Sequence, residues 1–217
     1  MKIFKYLIGA LLIPVAIAFS KYFYIELSRL DYLSARMHIF IWGIVVYMLV
    51  HILLYKPVYL YTLGHESIHA VATWISGGHI TSFHVSSQGG SVGTSKSNFF
   101  IELSPYFVPV YTILLILVTP LIRSRLANVY PLSLYMFLLG LTLGMHLIMT
   151  AEALKLRQTD ILKSGYAFSF MLIYVGNILI VFLILSLFNG GLSFKTYFMK
   201  SLIYSRDIYL AVWNKFF

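Results

Sequence analysis

The sequence contains no cysteine, which excludes a disulfide framework and gives no indication of the redox compartment. Charged residues are scarce too: they make up 11% of the chain, while 60% of its residues are hydrophobic. A soluble domain usually carries about 25% charged residues. An ordinary soluble domain is thereby excluded, and the composition predicts a membrane protein.

Acidic residues are the scarcer charged class, with seven Asp and Glu against sixteen Lys and Arg. In a soluble protein, the resulting net charge of +9 would suggest nucleic acid as a partner. Here the basic residues fall between apolar runs, where they contact lipid head groups and set topology. We therefore expect a lipid bilayer around the protein and no nucleic-acid partner.

Six apolar runs are long enough to predict membrane-spanning helices. They lie near residues 4–20, 37–55, 57–77, 99–122, 129–152 and 165–188. The predicted fold class is an all-α membrane protein with about six transmembrane helices, integral to the cell membrane. We expect residues 1–192 to form a single polytopic domain. In residues 193–217 basic side chains accompany the apolar ones, which predicts an amphipathic tail in the membrane interface.

Residues 78–98 differ in kind, because they are rich in Gly, Ser and Thr. Gly89-Gly90 stands between short β-prone pieces, which is typical of a hairpin turn. Two interpretations stay open for this stretch. It is either an exposed loop or a short membrane-associated β-hairpin whose strand edge accepts an extended peptide. In the second case, Gly89 and Gly90 are candidate substrate-binding residues.

Residues 65–69 read His-Glu-Ser-Ile-His, an H-E-x-x-H sequence inside an apolar stretch. On a helix, residues four apart share one face and lie about 6 Å apart along the axis. His65 and His69 can therefore bind one Zn²⁺. Glu66 can then take a proton from a water molecule on that ion and pass it to the leaving amine, which predicts peptide hydrolysis. The alternative is a polar cluster that holds helices together without metal.

The segments GHESIHAVATWISGGHI and ELSPYFVPVY, with the Gly/Ser-rich stretch between them, resemble the site-2 protease family of intramembrane zinc metalloproteases. The resemblance covers about residues 57–122. It implies a metal-binding motif in a membrane helix, a β-hairpin after it, and an endopeptidase. Such an enzyme cuts a partner protein in or next to a transmembrane segment. His65 and His69 would be zinc ligands, Glu66 the catalytic residue, and a membrane protein or peptide the substrate.

The resemblance also implies an aspartate from a later helix as the third zinc ligand, usually in an Asp-Gly pair, and this chain has no such pair. Asp160 follows the motif at a family-like distance and is the first candidate. The neighbouring Lys155, Arg157 and Lys163 offer an ordinary ion-pair interpretation instead. His146, inside the fifth apolar run, is the alternative ligand. On one continuous helix the two candidates would be about 21 Å apart, so only one of them is expected to bind the ion.

Asn177 lies within the sixth apolar run, where it is expected to hydrogen-bond either a neighbouring helix or the substrate backbone. Two other classes of function stay open. One is a non-catalytic membrane subunit or assembly module that retains a metalloprotease scaffold; an oligomer or an accessory-subunit role fits it. The other is a different H-E-x-x-H membrane protease, such as the prenylated-protein proteases. Those place the motif nearer the cytosolic surface and use a glutamate as the third ligand.

Overall fold

The computed structural model describes residues 2–30, 34–126, 131–156 and 158–216, and most of them are helical. The first two residues of the predicted span 129–152 lie outside the described residues. The described helices are α1 (Lys2–Leu27), α2 (Ala35–Leu53), α3 (Val58–Ile75), α4 (Phe99–Leu103), α5 (Val110–Leu126), α6 (Leu132–Lys155), α7 (Thr159–Ser164), α8 (Tyr166–Phe188) and α9 (Phe194–Phe216). The predicted predominance of helices is confirmed, and the all-α membrane fold stays a prediction.

A two-stranded antiparallel sheet lies in the Gly/Ser-rich stretch, formed by β1 (Ile80–Ser86) and β2 (Gly89–Thr94). The two strands of the predicted hairpin are therefore confirmed, while its association with a membrane and its binding of a peptide stay predictions. The turn itself consists of Ser87 and Gln88, so the prediction that Gly89-Gly90 forms it is wrong. The reason is local: the Ser86 hydroxyl donates to the Gly89 carbonyl at 2.8 Å and accepts from the Gln88 amide at 3.2 Å, closing the turn two residues earlier.

Among the described residues, four helices are long and apolar enough to cross a membrane: α1, α2, α6 and α8. A fifth candidate is bent by 76° between Phe99–Tyr106 and Val110–Ile122, which is the geometry of a broken span or of a re-entrant loop. The prediction of one continuous helix over 99–122 is therefore wrong. Pro105 and Pro109 explain the break, since neither has the backbone N–H that a continuing helix needs.

Helices α2 and α6 run in the same direction. Near their starts, Gly140 of α6 faces Phe40 of α2 so closely that a Cβ on the glycine would overlap the phenylalanine carbonyl. Near their ends, the Glu152 carboxylate lies 3.1 Å from Nε2 of His51. Contacts between start and start, and between end and end, identify a parallel pair.

Helices α1 and α8 are parallel as well. Lys5 packs against Gly165 at the start of α8, and the Phe23 ring meets Phe182 with centroids 6.1 Å apart.

Helix α9 returns antiparallel along α1. The Tyr197 hydroxyl, near the start of α9, donates to the Phe19 carbonyl. The Tyr209 hydroxyl, further along α9, donates to the Leu11 carbonyl, which is nearer the start of α1.

The two parallel pairs exclude six membrane crossings in strict alternation. Under that prediction the second and fifth runs would be antiparallel, and so would the first and sixth. If α2 and α6 both cross a membrane in the same direction, the chain between them makes one net crossing. That stretch contains α3, the hairpin, α4 and α5, so these elements together would cross the membrane once. By length and composition the described residues hold four such helices, or five spans if the bent pair counts as one, against the six predicted. The parallel pairs fit the count of five.

The described residues form two compact units. The first consists of α1, α7, α8 and α9, and its core includes the stacked rings of Phe182 and Tyr197, 3.9 Å apart. The second consists of α2 to α6 with the hairpin, and its core includes Leu139 and Leu143. Helix α9 thus packs on α1 and α8, while the interfacial role predicted for 193–217 stays a prediction.

Candidate metal centre

Helix α3 carries the H-E-x-x-H motif on one regular stretch, Val58–Ile75. Pro57 precedes it, at a position where the missing N–H costs nothing because the first helical turn leaves its donors unpaired. The helix ends at Ile75, and two residues later Gly77 turns the chain with a φ of +70°, in the left-handed region that favours glycine. The Gly78 amide then donates to the Thr73 carbonyl at 2.9 Å, a bond typical of a helix terminus.

The two motif histidines share one face of α3, as predicted. The rings of His65 and His69 lie 4.9 Å apart between centroids, and one ligand nitrogen of each lies within 4.8 Å of the other. In tetrahedral coordination with bonds of about 2.0–2.1 Å, two nitrogens bound to the same zinc are about 3.4 Å apart. A small side-chain adjustment is therefore enough for both imidazoles to reach one ion.

A backbone carbonyl orients His69. Its Nδ1 lies 2.7 Å from the Ile101 carbonyl oxygen, and His69 is only 8% exposed. A carbonyl can only accept, so Nδ1 carries the proton and the lone pair of the ring is on Nε2. Histidines that bind metals almost always donate their other ring nitrogen in this way. Ile101 was not among the predicted site residues.

Pro105 explains why the Ile101 carbonyl is available to His69. In a continuous helix this carbonyl would accept the N–H of residue 105, four positions later, and proline has none. The Asn98 side chain accepts from the Ile101 amide at 2.9 Å and so caps α4. The cap and the proline together place one unused helix acceptor beside the motif. The Ser-Pro pair was the signal in the sequence that could have identified it.

Tyrosine rings surround His65. Tyr106 is fully buried, and its ring meets His65 edge-on with centroids 4.8 Å apart, while Tyr61 lies at 5.7 Å. A small cavity of about 20 Å³ lies beside His65, with Thr142 and His146 also in its wall. That volume has room for about one water molecule. The candidate metal centre therefore has a water-sized space next to one of its histidines.

Glu66 is buried against the hairpin. Glu66 is 7% exposed. A Cβ added to Gly90 would lie 2.7 Å from Cγ of Glu66 and 2.7 Å from Cγ2 of Thr62. Only glycine fits there. The hairpin predicted to hold substrate thus lies directly on the catalytic candidate. Gly89 begins β2 with φ +145°, also in the region that favours glycine.

The remaining predicted residues belong to other helices. Asp160 is half-buried in the first turn of α7, in the first unit, and Arg157 beside it lies outside the described residues. His146 of α6 is buried and lines the same small cavity as His65. Asn177 of α8 donates to the Ile173 carbonyl of its own helix at 2.9 Å. The choice between Asp160 and His146 as third ligand stays a prediction.

No protein-family model, curated protein or solved structure matches this chain. The resemblance to site-2 proteases therefore depends on the residues quoted for it. Because one fold can host many activities, function is inferred here from the chemistry of the site.

Proposed function

We propose that the chain is a membrane-embedded zinc endopeptidase, similar to site-2 proteases, that cuts a partner protein in or next to a transmembrane segment. One observation carries the proposal: His65, Glu66 and His69 lie on adjacent turns of α3, and the Ile101 carbonyl fixes the His69 ring for coordination through Nε2. The four apolar helices of spanning length support a location in the cell membrane.

His65, His69 and Asp160 are the proposed zinc ligands, with His146 as the alternative third. Two imidazoles and a carboxylate are a donor set that suits zinc and leaves a coordination position open. Bound zinc would polarise the scissile carbonyl and lower the pKa of a water molecule. The residues present therefore fit the metal that the family resemblance implies.

Glu66 is the proposed general base. Its carboxylate takes a proton from the attacking water and later gives it to the nitrogen of the leaving amine. The backbone of Gly90 restricts where this side chain can move, since the glycine lies against the Glu66 Cγ. A carboxylate held in one place needs little reorganisation when the proton moves, which favours the reaction.

The hairpin is the proposed site for the substrate strand. A peptide bond in a helix is shielded and internally hydrogen-bonded, so the substrate must be unwound locally before it can be cut. An unwound strand can pair with the edge of a sheet through backbone hydrogen bonds. Gly90 brings that sheet to Glu66 and Gly89 precedes it in β2, which makes the pair the first candidates for substrate contact. Asn177 is the weaker candidate, because its amide already bonds to its own helix.

Removal of zinc tests the proposed activity. Purified protein is incubated with a peptide that contains a transmembrane segment, and cleavage is followed by mass spectrometry. A chelator such as 1,10-phenanthroline is expected to stop cleavage, and added zinc to restore it. Cleavage at an unchanged rate after complete removal of the metal would refute a zinc peptidase. Bound zinc without cleavage of any such peptide would favour the non-catalytic subunit.

The Gly90→Ala substitution tests the contact between the hairpin and Glu66. The new methyl group would lie 2.7 Å from Glu66 Cγ, so the carboxylate or the hairpin has to move. A displacement of about 1 Å at a catalytic group can cost about a hundredfold in rate. We expect cleavage to fall by about tenfold or more with zinc content unchanged.

Gly190→Ala is the matched control for this substitution, because a Cβ at Gly190 would meet nothing within 4 Å. It should leave the cleavage rate as in the wild type. Equal rates for the Gly90 variant, the Gly190 variant and the wild type would show that the hairpin does not position Glu66.

A further inference from the structure

The first unit contains a groove where α1 and α8 begin. Its volume is about 370 Å³, within the range of pockets that bind small ligands, about 300–1,000 Å³. Its wall includes Lys5, Tyr6, Leu162, Lys163, Tyr166 and Phe168. The groove thus combines two lysines with aromatic and aliphatic side chains.

The groove is cationic on one side. Lys5 and Lys163 both line it, and no acidic residue is among the described residues of its wall. Nζ of Lys5 donates to the Lys163 carbonyl at 2.6 Å, and its stem packs on Gly165, where a Cβ would meet Lys5 Cδ at 3.3 Å. These contacts hold the Lys5 ammonium at the wall of the groove and leave it further hydrogen-bond donors for an anion.

The position of the groove corresponds to the level of lipid head groups. Helices α1 and α8 are both of membrane-spanning length and run parallel, so their starts mark one membrane–water boundary. Tyr6 and Tyr166 are 62% and 59% exposed there, and tyrosine is enriched at such boundaries. Below them, Leu7 and Phe170 present exposed apolar surface along the two helices.

We propose that this groove binds an anionic glycerophospholipid, with its phosphate between Lys5 and Lys163 and its acyl chains along Leu7 and Phe170. Basic pockets between membrane helices bind acidic head groups in this manner. Free phosphate shares the charge of the head group but makes no use of the apolar wall at Leu162. The observations therefore favour the lipid.

Lipid selectivity of the full chain in bilayers tests this proposal. The protein is reconstituted in phosphatidylcholine vesicles containing a small amount of spin-labelled phosphatidylglycerol or spin-labelled phosphatidylcholine. The motionally restricted fraction of each label gives the preference for the anionic lipid. We expect Lys5→Gln and Lys163→Gln each to lower that preference by about fivefold, and the double variant to abolish it.

Lys195→Gln is the matched control, because Lys195 is an exposed lysine at the start of α9, and α9 begins at the far ends of α1 and α8. It removes the same charge and should keep the preference. The Lys163→Gln variant keeps the backbone carbonyl that accepts from Lys5, so the local fold is retained, as the thermal unfolding midpoint should confirm.

Three results would overturn the proposal. The first is an unchanged preference in the double variant. The second is an equal loss in Lys195→Gln, which would mean diffuse attraction to the whole basic surface. The third is displacement of the labelled lipid by inorganic phosphate, which would assign the groove to the free anion. A loss confined to the two groove lysines and insensitive to phosphate supports it.

Discussion

Replacement of Glu66 by glutamine is expected to abolish peptide cleavage and to leave zinc bound. Glutamine keeps the shape of the side chain and its contact with Gly90, but its amide cannot take a proton from water. Loss of a general base typically costs about 10²–10⁴-fold in rate. The measurements are the single-turnover rate on a transmembrane peptide and the zinc content of the same preparation.

Glu102→Gln is the control for charge, because it removes a carboxylate from α4 in the same unit. Glu102 accepts from the Ser97 hydroxyl at 2.6 Å and is not part of the motif. Its variant should cleave at nearly the rate of the wild type. A Glu66→Gln protein that binds zinc and cleaves at an undiminished rate would remove Glu66 as the base.

The third zinc ligand gives the second large effect. If Asp160 binds the ion, Asp160→Asn should weaken zinc binding by about a hundredfold or more, since outer-sphere partners alone are worth about 10–100-fold. His146→Ala should then retain the metal, although its position beside His65 in the small cavity predicts slower cleavage. Zinc affinity is measured by competition with a chelator of known affinity.

The opposite pattern would assign the role differently. Zinc lost from His146→Ala and kept by Asp160→Asn would make the histidine the third ligand. It would also leave Asp160 as an ordinary acidic residue in the first turn of α7, where the helix dipole favours it. Zinc retained at full affinity by both variants would contradict either assignment.

Much of the fold follows from local patterns in the sequence. Five of the six apolar runs each coincide with one helix, because a run of about 20 apolar residues is long enough to form a spanning helix. The run 99–122 is the exception, since it is broken near Pro105 and Pro109. The hairpin was predicted from β-prone pieces around Gly89-Gly90, but the turn lies at Ser87 and Gln88. The glycines serve another purpose: Gly90 lets the strand approach Glu66. A turn pattern and a packing glycine look the same in a sequence.

The direction of the helices could not be read from hydropathy, because parallel and antiparallel pairs bury the same kind of surface. Gly140 is an example, because it packs against the Phe40 backbone. A glycine in an apolar run predicts close packing with another helix but does not specify which helix or in which direction it runs. The carbonyl of Ile101 is a similar case. It is a backbone group, invisible to any pattern of side chains, and only the proline four residues later indicates it.

The zinc content of purified wild-type protein, compared with that of a His65→Ala/His69→Ala double variant, decides whether α3 holds a metal ion. We expect about one tightly bound zinc per wild-type chain and none in the variant, with an X-ray absorption spectrum that shows imidazole nitrogen at about 2.0–2.1 Å. A wild-type protein that takes up no zinc, or a variant that binds it equally well, would contradict a metal centre on α3.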